Sequence, residues 1–181
     1  ERDYKLIIGR LLAEARDALR AGDDSWPVKL RAAFRHSRQN LVNFRVHGPF
    51  LEWVEADLLR AETALRTLWD QTPPDVASFA RHLPAGTPFS GRGTRASIAS
   101  FLLLGVDVFR FPFFRPTVND RLRRALGLEP FEPDEAHQSE DQAVAALYES
   151  WADLMQQLRY WMLAAGTPIR DILDAQCLGW W

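Results

Sequence analysis

The residues best suited to chemistry are arginines, and they cluster. Between Ser25 and Leu51 lie Lys29, Arg31, Arg35, Arg38 and Arg45 with no acid, a net charge of +5. Between Gly86 and Arg124 lie Arg92, Arg95, Arg110, Arg115, Arg121, Arg123 and Arg124 against Asp107 and Asp120, again +5. The whole chain carries −2, so the remainder carries −12. Such segregation lets an acidic protein present a basic face to a phosphate backbone. The planar guanidinium suits phosphate and base-edge contacts. Arg92, Arg95, Arg115, Arg121, Arg123 and Arg124 are the expected phosphate contacts, and Arg35, Arg38 and Arg45 extend the face. The alternative is that both segments are ordinary solvated helix faces that never meet in space.

Ser90-Gly91-Arg92-Gly93-Thr94-Arg95-Ala96 is the sharpest local feature. A glycine-flanked turn entering a helix exposes backbone N–H groups at a positive dipole end, so Gly93 and Thr94 join the candidate anion site. The pattern resembles the hairpin of helix-hairpin-helix DNA-binding motifs, with Arg92 where that motif carries an apolar residue. It is not a Walker A loop, because no Gly-Lys-Ser/Thr follows. The alternative role for the glycines is tight packing at the helix entry. Phe109, Phe111, Phe113 and Phe114 interleave with Arg110 and Arg115. Such a mixture can stack on bases, but core filling beneath a loop is the favoured reading.

No catalytic constellation emerges. His36, His47, His82 and His137 have neither helical i, i+4 nor finger-like spacing, and Cys177 has no near partner, so no metal site is expected. No Gly-x-Ser-x-Gly elbow and no HExxH occurs. The pairs Glu52 with Glu55 and Asp171 with Asp174 have the spacing of solvated helix faces. No cofactor is expected, and the chain reads as a binder rather than an enzyme.

The elements that must position these residues are helical. Tyr4, Ile7, Ile8, Leu11, Leu12, Ala15 and Leu19 recur at helix spacing, with Gly22 at the C-terminal cap. Asp24 and Ser25 are placed to cap a second helix starting near Pro27 and carrying Val28, Leu30 and Phe34. From Asn40 to Gly48 the period is lost, which predicts a short strand or an ordered loop. Phe50, Trp53, Val54, Leu58 and Leu59 restore it, and the stripe continues to Trp69, ended by Pro73-Pro74. A short helix is predicted over 75–82, an apolar one from Thr94, and a short basic one capped by Thr117 and ending at Gly127. Residues 129–140 read as an exposed acidic connector. A long helix follows through Val144, Leu147, Trp151, Leu154, Leu158 and Trp161 to Gly166, and Thr167-Pro168 starts the last. Trp53, Trp69, Trp151 and Trp161 are expected in the core. With no sustained strand alternation, the predicted class is all-α: a single compact helical domain, residues 1–181, with irregular loop segments.

Composition agrees with a globular chain: 47% of residues are hydrophobic and 25% charged. No run of about 18 apolar residues exists to span a bilayer, and no signal peptide is visible. The lone Cys177 points to a reducing, cytoplasmic setting. Two adjacent tryptophans, Trp180 and Trp181, at the end suggest a domain of a longer protein, with the alternative that they pack back onto the core.

Gly91-Arg92-Gly93-Thr94-Arg95, followed by Ala99-Ser100-Phe101-Leu102-Leu103-Leu104 and Arg110-Phe111-Pro112-Phe113-Phe114-Arg115-Pro116-Thr117, resembles the helical N-terminal region of bacterial McrB-type AAA+ proteins. These are the motor subunits of modification-dependent (type IV) restriction systems. Asn40 to Arg45 and the closing Asp174 to Trp181 fit the same resemblance. It implies an N-terminal module that recognises DNA, modified or unmodified, in phage defence, with the AAA+ motor domain downstream in the same polypeptide, a nuclease elsewhere and no membrane partner. The alternative expectation is a protein-protein interaction or assembly domain of the same machine without DNA contact.

Overall fold

The structure, a computed structural model, describes residues 2–134 and 136–178. The expectation for Trp180 and Trp181 lies outside them. The protein is 67% helical with no strand among the described residues. The first helix, α1 (Arg2–Arg20), buries Ile8, Leu12, Ala15 and Leu19 along one stripe. Gly22 ends it with φ 68°. The Gly22 N–H donates to Leu19 O and the Asp23 N–H to Ala18 O, a Schellman cap. Gly127 and Gly166 close two later helices in the same way.

α2 (Trp26–Phe34) starts after Ser25, whose hydroxyl makes no capping bond; the Asp23 carboxylate takes the Ser25 N–H instead. Leu30 and Phe34 are buried, whereas Val28 is exposed. Residues 35–43 form a loop stitched by Gln39, whose amide donates to Phe34 O and Val42 O and accepts from the Val42 N–H. The strand considered for 40–48 is absent. α3 (Phe44–Ala56) begins there, with Asn43 accepting from the Arg45 N–H. The apolar stripe toward Trp69 belongs to two helices, not one. Asp57 leaves helical geometry and caps α4 (Leu58–Trp69), which turns Leu58 and Leu59 to solvent.

The short helix expected over 75–82 is α5 (Val76–His82), capped by Asp75. α6 (Arg92–Asp107) opens at Gly91 rather than Thr94. Every residue from Ile98 to Gly105 is buried. A helix apolar on all sides must sit at the centre, and α6 touches α1, α4, α5 and α8, along with the helix that follows it. That helix, α7 (Pro116–Ala125), is entered from Arg115 with proline at its first position, so Thr117 is not its cap. Residues 127–134 have no regular structure and are mostly exposed. α8 (Glu140–Ala164) starts from a capping box between Ser139 and Gln142. α9 (Ile172–Leu178) starts later than Thr167-Pro168 suggests.

α1 and α6 approach unusually closely. A Cβ at Gly105 would stand 2.6 Å from the Leu12 Cβ, and one at Gly9 would stand 3.0 Å from Leu104 O. Arg16 on α1 donates to Gly105 O at 2.6 Å, satisfying a carbonyl of the last turn of α6. The aromatic segment after α6 is pinned to the core, which bears out core filling for its middle. Phe113 and Phe114 are buried. The Trp151 indole and the Gln176 amide both donate to Phe113 O, and the Phe114 N–H donates to Ser100 Oγ. Trp69 donates to Leu102 O. Trp161 corrects the expectation: it is 43% exposed, because α8 outruns the helices that cover its first half.

Arg2 ties the two ends of the fold together, contacting Asp171 and Asp174 at 2.7 Å each. The Arg170 hydrogen bond, with the Arg2 charge behind it, holds the Asp174 carboxyl at about 2. Asp171 is also lowered, chiefly by its bond from Arg2. Both carboxyls are thus more acidic folded than unfolded, where they titrate near ~4. Their contribution is complete above that pH and is lost as pH falls toward 2. Urea midpoints measured between these limits should fall with acid, and Asp174→Asn should flatten the decline.

Candidate functional site

Three helix starts meet around one groove. The loop before α3 supplies Leu41, Val42 and Asn43, and its first turn supplies Val46. Thr94 and Ser97 come from the first turns of α6, and Arg115, Pro116 and Thr117 from the entry of α7. The groove encloses about 250 Å³. It joins the two basic segments of the sequence, which therefore do meet in space. Neither α6 nor α7 has a side-chain cap at its start. Each helix start carries roughly half a positive charge from its peptide dipoles.

The expected arginines divide into two groups. Arg35, Arg38, Arg45 and Arg124 are exposed, and among the described residues no carboxylate pairs with them. Arg45 lies over the Phe44 ring at 5.6 Å, next to the groove. Partial burial, reinforced by the Arg35 charge, lowers the His47 pKa and favours its neutral form. Arg115 stands exposed at the rim. Thr117, Arg121 and Arg124 follow at helical spacing on exposed positions of α7.

The second group is committed within the protein. Arg92 meets Glu140 at 2.9 Å. Arg95, 12% exposed at its side chain, binds Asp141 at 3.1 Å together with Phe89 O and Ala80 O. These two acids occupy the first turn of α8, where the helix dipole also favours them. Arg123 donates to Asn119, Glu129 O and Ser150. Arg92 and Arg95 lock α6 to the start of α8, and Arg123 locks α7 to Ser150 of α8.

Gly93 has a packing role: a Cβ there would stand 2.7 Å from Pro116 Cγ. The start of α7 rests on this bare position, so enlarging residue 93 would displace one helix start from another. Thr94 lines the groove without that constraint.

No family model, curated protein or solved structure matches the chain.

The geometry alone describes a groove at three helix starts with Arg115 at its rim. Among the described residues no cluster of three His, Cys, Asp or Glu side chains could hold a metal ion. Among these residues no helix is long and apolar enough to cross a membrane. Sequence reasoning missed Asn43 and Ser97 as groove residues; asparagine just before a helical run was the available signal. It also missed Glu140 and Asp141 as partners of Arg92 and Arg95, because those pairs span more than 40 residues of sequence. Of the interleaved aromatics, Phe109 remains exposed beneath Arg2, and Arg110 lies over Phe111 at 5.2 Å.

Proposed function

We propose that this chain binds the phosphate backbone of DNA, as the target-recognition module of an McrB-type restriction protein. The observation that carries the reading is the groove where the starts of α3, α6 and α7 converge, together with the exposed Arg35, Arg38, Arg45 and Arg124, which among the described residues pair with no carboxylate. Helix N-termini and arginine guanidinium groups both contact backbone phosphate in protein–DNA complexes. The restriction-system assignment rests on the sequence resemblance; the groove supports only the phosphate chemistry. In this reading Arg35, Arg38, Arg45, Arg115, Arg121 and Arg124 face the duplex, while Arg92, Arg95 and Arg123 hold the helices that build the groove.

A second reading, a docking domain without DNA contact, is favoured by the far end of α8, where Tyr160, Trp161 and Leu163 are exposed together. Exposed aromatics are enriched at protein interfaces.

Binding to modified and unmodified duplexes across a salt series separates the two. Log affinity should fall linearly with log salt, by about 0.9 per phosphate neutralised. Replacing Arg38, Arg45 and Arg124 with Gln should reduce that slope by about 2 to 3, without loss of folding, because these side chains make no ion pair among the described residues. Arg60→Gln is the control, since Arg60 lies past the end of α3, about 20 Å of helix from the groove. No binding at low salt, or a slope the triple variant leaves unchanged, rejects the DNA reading.

A further inference from the structure

The first turn of α3 owes little to its own backbone. Gly48 and Pro49 follow it inside the helix. Glycine and proline are the two poorest helix formers, and Pro49 has no N–H to give to the Arg45 carbonyl one turn back. What keeps Phe44 to His47 helical lies at their edges. Asn43 accepts from the Arg45 N–H at its side chain and from the Val46 and His47 N–H groups at its carbonyl. The His47 ring reaches across to α2, its centroid 6.3 Å from that of Phe34. Phe44 and Arg45 are exposed and add no core anchor.

The seat of that ring suits the neutral imidazole. Its Nδ1 is buried and has no hydrogen-bond partner. With the proton on Nε2, Nδ1 is a bare acceptor; the imidazolium would place an N–H there, a buried donor with no acceptor. The charges around it are mostly cationic. Arg35 follows Phe34 and acts on the ring. Arg31, one turn back on α2, is taken by Glu55. His36 and Arg38 stand in the loop after α2, Arg45 on the same turn as His47, and Arg115 at the groove rim. Glu52 lies about 140° round α3 from His47. α4 joins α3 at the other end, where Glu62 is paired with Arg66 and Arg60 follows the Asp57 cap. Among the described residues His47 pairs with no carboxylate. Burial and the Arg35 charge hold its folded pKa below the ~6.5 of a free imidazole. Its contribution to stability is therefore complete above that pH and is lost as pH falls below it.

We propose that the first turn of α3 is an acid-released latch on the groove: a neutral His47 closes it on Phe34, and a protonated one leaves that seat and frees the turn. Gly48-Pro49 is the hinge, and Val46 is the groove wall that moves with it. The loss of ligand that follows rests on the phosphate reading; the release of the turn does not. Its sign is distinctive, because added positive charge on other histidines would strengthen phosphate binding in acid.

Amide exchange of the full chain at about pH 7.5 and 5.5, each rate referred to the unfolded chain at the same pH, reads the latch without a ligand. Protection of the Val46 amide should fall at least threefold at the lower pH while that of Leu154 holds; Asp171 and Asp174 titrate well below this window. His47→Phe keeps a ring against Phe34, takes no proton and should abolish the fall. Gly48→Ala, whose new Cβ would meet nothing within 4 Å, should raise Val46 protection at both pH values. Unchanged wild-type protection, or a fall that persists in His47→Phe, overturns the latch. Should that variant fail to fold, the wild-type His47 Cε1–H resonance decides: a titration midpoint at or above ~6.5 overturns it too. Affinity for an unmodified duplex at fixed salt should drop at least threefold over the same range in wild type and hold or rise in His47→Phe. Equal wild-type affinity at both pH values overturns control of the groove. A duplex bound at neither pH rejects the phosphate reading, and exchange alone then decides the latch.

Discussion

Replacing Trp151 by Ala should remove about 3–5 kcal/mol of stability, enough to consume much of what a domain of this size has. The side chain is 1% exposed, meets Phe114 edge-on at 6.0 Å and donates its indole N–H to Phe113 O at 3.1 Å. Most of the cost is the cavity rather than the hydrogen bond, because the Gln176 amide also donates to Phe113 O. That carbonyl keeps a partner when the indole is gone. Trp151→Phe should therefore recover a large part of the loss. Urea unfolding of both variants checks the division; a loss below about 1 kcal/mol for Trp151→Ala would place the side chain outside the core.

The second large effect is at Gly105, where two physical tendencies oppose each other. Alanine in a helix interior is favoured over glycine by about 1 kcal/mol. Against this, the new Cβ would stand 2.6 Å from the Leu12 Cβ and 2.9 Å from the Leu12 carbonyl carbon. The second atom is backbone, so no rotamer change relieves the contact, and α1 must move off α6. Overpacking of this kind costs about 1–3 kcal/mol, sometimes more. The steric term wins: Gly105→Ala should destabilise in denaturant titration, and Gly105→Val should do so more strongly. Stabilisation by alanine would mean that the two helices are not in contact there.

Both positions show what the sequence conveys and what it does not. Trp151 is readable, since its spacing from Leu154 and Leu158 puts it on one helical stripe. Trp161 lies on the same stripe and is exposed. Periodicity says which face a residue occupies, not how far along the helix the partners extend. Leu58 and Leu59 continue the apolar period of α3 and are nevertheless turned to water, because the Asp57 cap starts a new helix with a new phase. Gly105 carries no local signal, since what makes glycine necessary is Leu12 from another helix. The candidate site divides the same way. The clustering of arginines and the glycine-flanked helix entry are visible in one dimension. Which guanidinium is consumed by Glu140 or Asp141 is not, nor is the meeting of the loop at 41–43 with Thr94 and Arg115.

α8 is one continuous hydrogen-bonded rod, yet it is not one cooperative unit. Its first half has a capping box, ion pairs from Arg81, Arg92 and Arg95, and a buried face through Met155. From Gln156 to Ala164 no residue is buried. Backbone bonds in the first half open only when the core opens with them, whereas those in the last turns can open alone, at a cost set by helix propensity and little else. Amide protons along this single helix should thus exchange with solvent on a gradient, slow around Trp151 and fast beyond Tyr160. Any molecule that grips the far end would reveal itself by slowing exchange there while leaving the first half unchanged.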